Sequence, residues 1–243
     1  MTTFGLASIS LVLVAHSMLG QPPTDVDKAI RDLASKNHEV RLEAVQALGG
    51  RNEPKALKPL MAAARDPHDL VRASAVLAVG FYKDKATVPL LVAALNDPTP
   101  GVRDAAASAF INLHDPRAVE PLIATMKDPF SYVRANAAYA LGEIGDLAAV
   151  PVILGALKDP EAQVRIAACD AAGRLPDERL FQPLLLTARD PEARVRASAL
   201  GGLTNKGDAR AVPTLKRALS DADKEVTDTA KMGLRILTGK DHD

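Results

Sequence analysis

This chain has no tryptophan, a single cysteine among 243 residues, and only 3% aromatic residues. One cysteine, Cys169, rules out a disulfide framework and any cysteine-rich metal site. With so few rings, a core must be assembled from Ala, Leu, Val and Ile, which suits closely stacked helices. Net charge is missing as well: thirty basic residues balance thirty acidic ones. Nothing global therefore draws the protein to nucleic acid or to an anionic membrane. Gly-rich phosphate loops, a nucleophile elbow and convergent carboxylate pairs are also absent.

What the chain has is a beat. Val40-Arg41, Val71-Arg72, Val102-Arg103, Val133-Arg134, Val164-Arg165 and Val195-Arg196 recur every 31 residues, with Val226-Thr227 as a degenerate seventh. Such a period marks a repeat array, because a unit this small cannot bury its own apolar face and must stack on its neighbours. Four residues after each Val stands Ala44, Ala75, Ala106, Ala137, Ala168, Ala199 or Ala230, and three further on comes another small residue. Offsets of 0, 4, 7 and 8 trace one helical face, so these columns are core. Cys169 shares a column with Val45, Val76 and Leu200 and reads as a small core hydrophobe.

A second stripe precedes each Val-Arg helix. Leu60, Leu91, Leu122, Ile153, Leu184 and Leu215 form its central column, flanked at i, i+3, i+7 spacing by further apolar residues. Each unit is thus a helix pair. Asp66-Pro67, Asp97-Pro98, Asp128-Pro129, Asp159-Pro160 and Asp190-Pro191 are expected to place a carboxylate at the N-cap and a proline at N1 of the second helix. Asp84, Asp115, Asp146, Asp177 and Asp208 recur before the first helix as its caps. Gly49, Gly80, Gly142 and Gly173 fall where a left-handed residue would end the second helix. Prolines alternate between two adjacent columns, Pro59, Pro121 and Pro183 against Pro89, Pro151 and Pro213, and are expected to bend or loosen the first helices. Their alternation hints at growth by duplication of a two-repeat unit.

The stretch AVEPLIATMKDPFSYVRANAAYALGEIGD, residues 118–146, resembles the short HEAT repeats of the phycobilisome-lyase-like type, and the resemblance covers roughly residues 24–238. It implies an all-α fold: a right-handed α-α superhelix, or HEAT-like solenoid, of about seven helix pairs, with second helices lining a concave side. It implies a binding scaffold more often than an enzyme. In the last unit Lys216 and Lys231 replace apolar residues of their columns, so this unit reads as a C-terminal cap, followed by a polar tail at 239–243.

Residues 1–20 carry no Lys, Arg, Asp or Glu, and an apolar run from Leu6 to Val14 is followed by Ala15-His16-Ser17. This pattern reads as a secretory signal, which makes the protein secreted or periplasmic, with no stable membrane insertion after cleavage. The alternatives are an uncleaved anchor and an ordinary buried helix; without cleavage the protein is cytoplasmic.

Function must then come from the units. The Arg column invites an anion ladder. Its acidic counterpart argues instead for a structural ladder of Arg72, Arg103, Arg134, Arg165 and Arg196 with Asp66, Asp97, Asp128, Asp159 and Asp190, since carboxylates take guanidinium groups bidentately. A related HEAT-like family, deoxyhypusine hydroxylase, holds a di-iron centre with repeated His-Glu pairs. Here only His38-Glu39 occurs, so no metal and no cofactor is expected, and His68 and His114 read as solvated turn residues. A lyase or oxidoreductase related to these families is the enzymatic alternative. Offsets 3 and 6 from each Val should face the groove, where Leu77, Asn136, Tyr139 and Asp170 depart from a small, neutral row. Phe130 and Tyr132 add aromatic area in the turn of the fourth unit, either as contact residues or as packing over the neighbouring turn. The expectation is a monomeric, non-catalytic scaffold whose partner is a protein or peptide, not a nucleic acid.

Overall fold

The computed structural model describes residues 25–239, so the 1–20 leader and all but the first residue of the 239–243 tail lie outside the described residues. Among the described residues there are fourteen α-helices and no strand, and no helix is long and apolar enough to cross a membrane. They alternate as first and second members of a pair: α1 (Val26–Asp32) with α2 (His38–Leu48), α3 (Pro54–Ala63) with α4 (Asp69–Phe81), α5 (Val88–Ala94) with α6 (Pro100–Leu113). Then come α7 (Val119–Thr125) with α8 (Ser131–Ile144), α9 (Val150–Ala156) with α10 (Ala162–Arg174), α11 (Phe181–Thr187) with α12 (Ala193–Asn205), and α13 (Val212–Ala218) with α14 (Lys224–Thr238). The chain divides into two compact units, one ending at Pro121 and the other beginning at Leu122, with the boundary inside α7.

In both units the core follows the repeat columns. Every Val of the beat from Val71 to Val226 is buried, and so are all seven Ala at offset 4. Leu60, Leu91, Leu122, Ile153, Leu184 and Leu215 are completely buried. In the last pair Lys216 and Lys231 are exposed, although the residues aligned with Lys231, from Val45 to Leu200, are buried.

Three local expectations change. The Asp of each Asp-Pro step is not the N-cap. His68, Thr99, Phe130, Glu161 and Glu192 hold that position, and the Asp two residues earlier accepts from their own backbone N–H at 2.9–3.0 Å. The carboxylate closes an Asx turn ahead of the helix, which leaves it facing the neighbouring pair.

The prolines also do something other than kink. Lys85–Thr87, Pro116–Ala118, Leu147–Ala149, Glu178–Leu180 and Ala209–Ala211 are 3-10 turns, each capped by its preceding Asp, whose side chain accepts from the N–H two residues on. The α-helix then starts afresh, which sets Pro89, Pro151 and Pro213 at its second residue and Pro121 and Pro183 at its third. A missing N–H in the first turn removes no intrahelical bond. Pro59 alone lies deeper, inside α3.

Gly80, Gly142 and Gly173, expected as left-handed terminators, are helical instead, and Gly49 is an extended C-cap. The left-handed positions are Gly50, Gly145, Gly207 and Gly239 together with Asn52, Lys83 and His114. The helical glycines mark close approach. A Cβ on Gly80 would stand 2.5 Å from the Ala109 Cβ, one on Gly142 2.6 Å from the Ala171 Cα, and one on Gly173 2.6 Å from the Gly202 Cα. Successive second helices touch backbone to backbone there, and no larger residue fits.

Candidate partner-binding faces of the second helices

The Arg column connects one pair to the next. Arg41 donates through Nε and Nη2 to Asp66 at 2.6 and 2.7 Å, and Arg72 to Asp97 at 3.0 Å for both bonds. In the second unit Arg134 engages Asp159, Arg165 engages Asp190 and Arg196 engages Asp221 in the same bidentate way, at 2.7–2.9 Å. Each carboxylate lies 25 residues ahead of its guanidinium, in the following pair. Nη1 of the same Arg donates backwards to two carbonyls of its own turn; for Arg165 these are Asp159 and Pro160, at 2.9 and 3.0 Å. Arg103 holds the carbonyls of Asp97 and Pro98 likewise.

At least four of the five guanidinium N–H groups are therefore engaged in each complete set, and Arg72 adds a bond from Nη2 to the Thr99 hydroxyl at 3.3 Å. The paired side chains are only 7–18% exposed. Asp66 and Asp221 titrate below the usual carboxylate range, chiefly through their Arg hydrogen bonds. Burial raises Asp97, Asp159 and Asp190, but the guanidinium and backbone N–H bonds outweigh it and the net direction is down. Asp221 is missing from the Asp-Pro series because Ala222 follows it, yet it is used identically.

Second helices pack against their own first helices, as α4 does on α3 and α10 on α9, and against neighbouring second helices within their unit. One side stays open. At 100° per residue that side gathers offsets −1, 6 and 10 from the Val, with offset 3 at its margin, where Ser74 of α4 is half-buried but Ala105, Asn136 and Ala167 of α6, α8 and α10 are buried. In the first unit α4 presents Leu70, Ser74, Leu77 and Phe81 there, with Leu70 57% and Phe81 41% exposed. Leu77 is half-buried. It lines a small, shallow apolar hollow with Ser74, Ala78 and Phe81 of α4 and Val45, Gln46 and Gly49 at α2. Leu70 and Phe81 escape a sequence reading that confines the facing row to offsets 3 and 6, because they stand at offsets −1 and 10.

The second unit carries the other five named residues. Tyr139 is half-buried, and burial first, then the Asp170 charge, pushes its phenol up to about 12, against the opposing pull of Arg194 and Arg174. Asp170 is not free: Arg174 pairs with it at 2.8 Å and with Glu143 of α8 at 3.2 Å, tying α8 to α10. Asn136, expected in the groove, is only 7% exposed and belongs to the packed layer. The Phe130 and Tyr132 rings lie 5.6 Å apart at 45°, so each packs on the other, and Phe130 remains 43% exposed. On α14, Met232 and Ile236 are 56% and 60% exposed. Leu77 lies in the first unit, apart in the chain from this set.

His68 is not a solvated turn residue. It is half-buried, and its ring stacks on His38 at 3.9 Å and 11°. His114 is exposed in the left-handed C-cap of α6. Cys169 is buried, and burial pushes its thiol up to about 12.

A stack of helix pairs linked by an Arg–Asp ladder defines a class, and comparison with known proteins agrees with it. The chain belongs to the HEAT-repeat family: the HEAT repeats model matches residues 26–111 and 119–187, and the PBS lyase HEAT-like repeat model matches 102–128 and 195–221. No curated protein matches the sequence. Among solved structures, the complex of CpcE and CpcF of phycocyanin lyase from Nostoc sp. PCC7120 is similar, at 26% identity and a TM-score of 0.63 over 88% of each chain. An engineered protein is 23% identical with a TM-score of 0.54, covering 89% of this chain and 97% of its own. A designed armadillo repeat protein bound to a (KR)4 peptide is 18% identical with a TM-score of 0.55, covering 88% and 100%. The last two bear on fold alone. The fold class is the all-α, HEAT-like solenoid.

Proposed function

We propose that this protein is a non-catalytic scaffold that binds a protein or peptide partner on the open side of its second helices. One observation carries the reading: the open side keeps large apolar and aromatic side chains that the core does not consume, namely Leu70, Leu77 and Phe81 in one unit and Tyr139, Met232 and Ile236 in the other. Such residues on a chain poor in aromatics are the expected anchors of an interface. The Arg column is spent on the fold, which disfavours nucleic acid as the partner. In support, the similar Nostoc structure is itself a complex of two proteins.

The protein acts as a monomer in a secreted or periplasmic compartment on this reading, with residues 1–20 as the signal. N-terminal sequencing of native material tests the latter. Affinity capture from native extract tests the function, comparing wild type with a Leu77→Ala, Phe81→Ala, Tyr139→Ala variant. Loss of the captured partners is expected. Full retention by the variant excludes the open side. A bilin or metal absorbance band in the purified protein would move the assignment to the lyase or oxidoreductase alternative.

A further inference from the structure

The first unit's open side is asymmetric in a way that specifies an occupant. Its hollow is apolar, with Val45, Leu77 and Phe81 as the large lining residues, and Leu70 extends the apolar stripe along α4. The hollow itself is too small to admit a side chain, so an apolar group from a partner packs over the exposed stripe of Leu70, Leu77 and Phe81 and does not enter between the helices. Beside it on α2 stand Glu39 and Glu43, both exposed and at offsets −1 and 3 of the same open side. No Lys or Arg occupies offsets −1, 3, 6 or 10 of α2, α4 or α6; the other residues there are neutral. Those offsets carry no cation, so the two carboxylates make this side of the first unit acidic.

We infer that this groove docks a peptide segment in which a large apolar side chain is accompanied by Lys or Arg. The inference rests on the scaffold reading and specifies its partner. The apolar group packs over Leu70, Leu77 and Phe81, and the cation meets Glu43 and Glu39. Those residues precede Gln46 at the hollow by three and seven positions, or about 4.5 and 10 Å along the helix at 1.5 Å per residue. An extended chain advances about 3.3 Å per residue, so the cation belongs within about three residues of the anchor. The carboxylates supply orientation and attraction, and the exposed apolar stripe of α4 supplies most of the hold.

A phage-displayed random dodecapeptide library, selected on the full immobilised chain, tests this. The enriched peptides should pair Lys or Arg with Leu, Ile, Met, Phe or Trp within three residues. A synthetic fluorescent copy of the dominant sequence should bind at least tenfold more weakly to Phe81→Ser and to Glu39→Lys/Glu43→Lys. Its Kd should rise severalfold between 50 and 300 mM salt. Leu186→Ser, which alters an exposed leucine on α11, should bind as wild type does, and unchanged circular dichroism confirms that each variant is folded. Enrichment of acidic or uncharged peptides, indifference to Phe81→Ser, or no enrichment at all overturns the inference. Peptides lost on Tyr139→Ala but retained by Phe81→Ser would overturn it while leaving the scaffold reading intact; indifference to both removes both.

Discussion

Replacing glycine by alanine inside a helix ordinarily stabilises it by about 0.5–1 kcal/mol, because alanine has less conformational freedom to lose. This protein should show both signs of that effect within one unit. Gly201 lies inside α12 with nothing within 4 Å of where an alanine methyl would stand, so Gly201→Ala should be stabilising by about 0.5–1 kcal/mol. Gly173 lies inside α10, where the same methyl meets the Gly202 Cα at 2.6 Å and the Gly202 carbonyl oxygen at 3.0 Å. Backbone atoms cannot rotate aside as a side chain would. To reach ordinary contact, α10 and α12 must part by most of an ångström, and overpacking of this kind costs about 1–3 kcal/mol. Set against the helical gain, Gly173→Ala should lose roughly 1–2 kcal/mol.

A chain of this length shifts its Tm by about 2–4 °C per kcal/mol. Gly173→Ala should therefore melt about 2–8 °C lower than wild type and Gly201→Ala about 1–4 °C higher, measured by calorimetry or helical ellipticity. If Gly173→Ala melts at or above wild type, the backbone contact does not control the spacing of these helices and the account of the glycine column is wrong.

Three further outcomes follow from the ladder and the core. Arg165→Ala should cost about 2–4 kcal/mol in urea unfolding, because it strands the largely buried Asp190 carboxylate and two turn carbonyls, and Arg165→Lys should restore little; full rescue by lysine would show that charge alone matters. Asp115 and Asp177 are held down to about 2, each chiefly by hydrogen bonds from the Arg two residues on. A carboxyl depressed in the folded state stabilises above its ordinary value near 3.8 and loses that contribution as pH falls toward the folded value, so Tm should hold above pH 4 and fall between pH 4 and 2; a flat profile contradicts the assignment. Cys169 should resist a thiol reagent at pH 8 in the native protein and react at once in denaturant, whereas rapid native modification would place it outside the core.

The repeat period, the pairing of helices and the buried columns are all legible in the sequence, because side-chain periodicity and burial are the same physical fact seen twice. The ladder is legible as a stoichiometry of Arg and Asp but not as a direction: only the folded chain shows that Arg41 reaches forward to Asp66 and backward to its own turn. The glycines mislead because Gly80, Gly142 and Gly173 stand near helix ends, and both termination and close approach call for the same missing Cβ. Asp66 and its equivalents mislead because an Asx turn and an N-cap differ by two residues and share one residue type. On the candidate site, Tyr139 and Leu77 do lie on the open side, while Asn136 is buried in the packed layer. Leu70 and Phe81 require two more positions of the helical wheel.

The reach of the ladder has a consequence for how such a protein changes length. Arg41, Arg72, Arg134, Arg165 and Arg196 each find a carboxylate 25 residues ahead and carbonyls five and six residues behind, so the pattern is indifferent to how many units precede or follow. Inserting or removing 31 residues, or a whole multiple of 31, leaves each remaining Arg with an Asp at the same distance; a length that is not such a multiple breaks one register at the junction. The groove can thus be lengthened in quanta, and a new stretch of open side arrives already fitted to its neighbours.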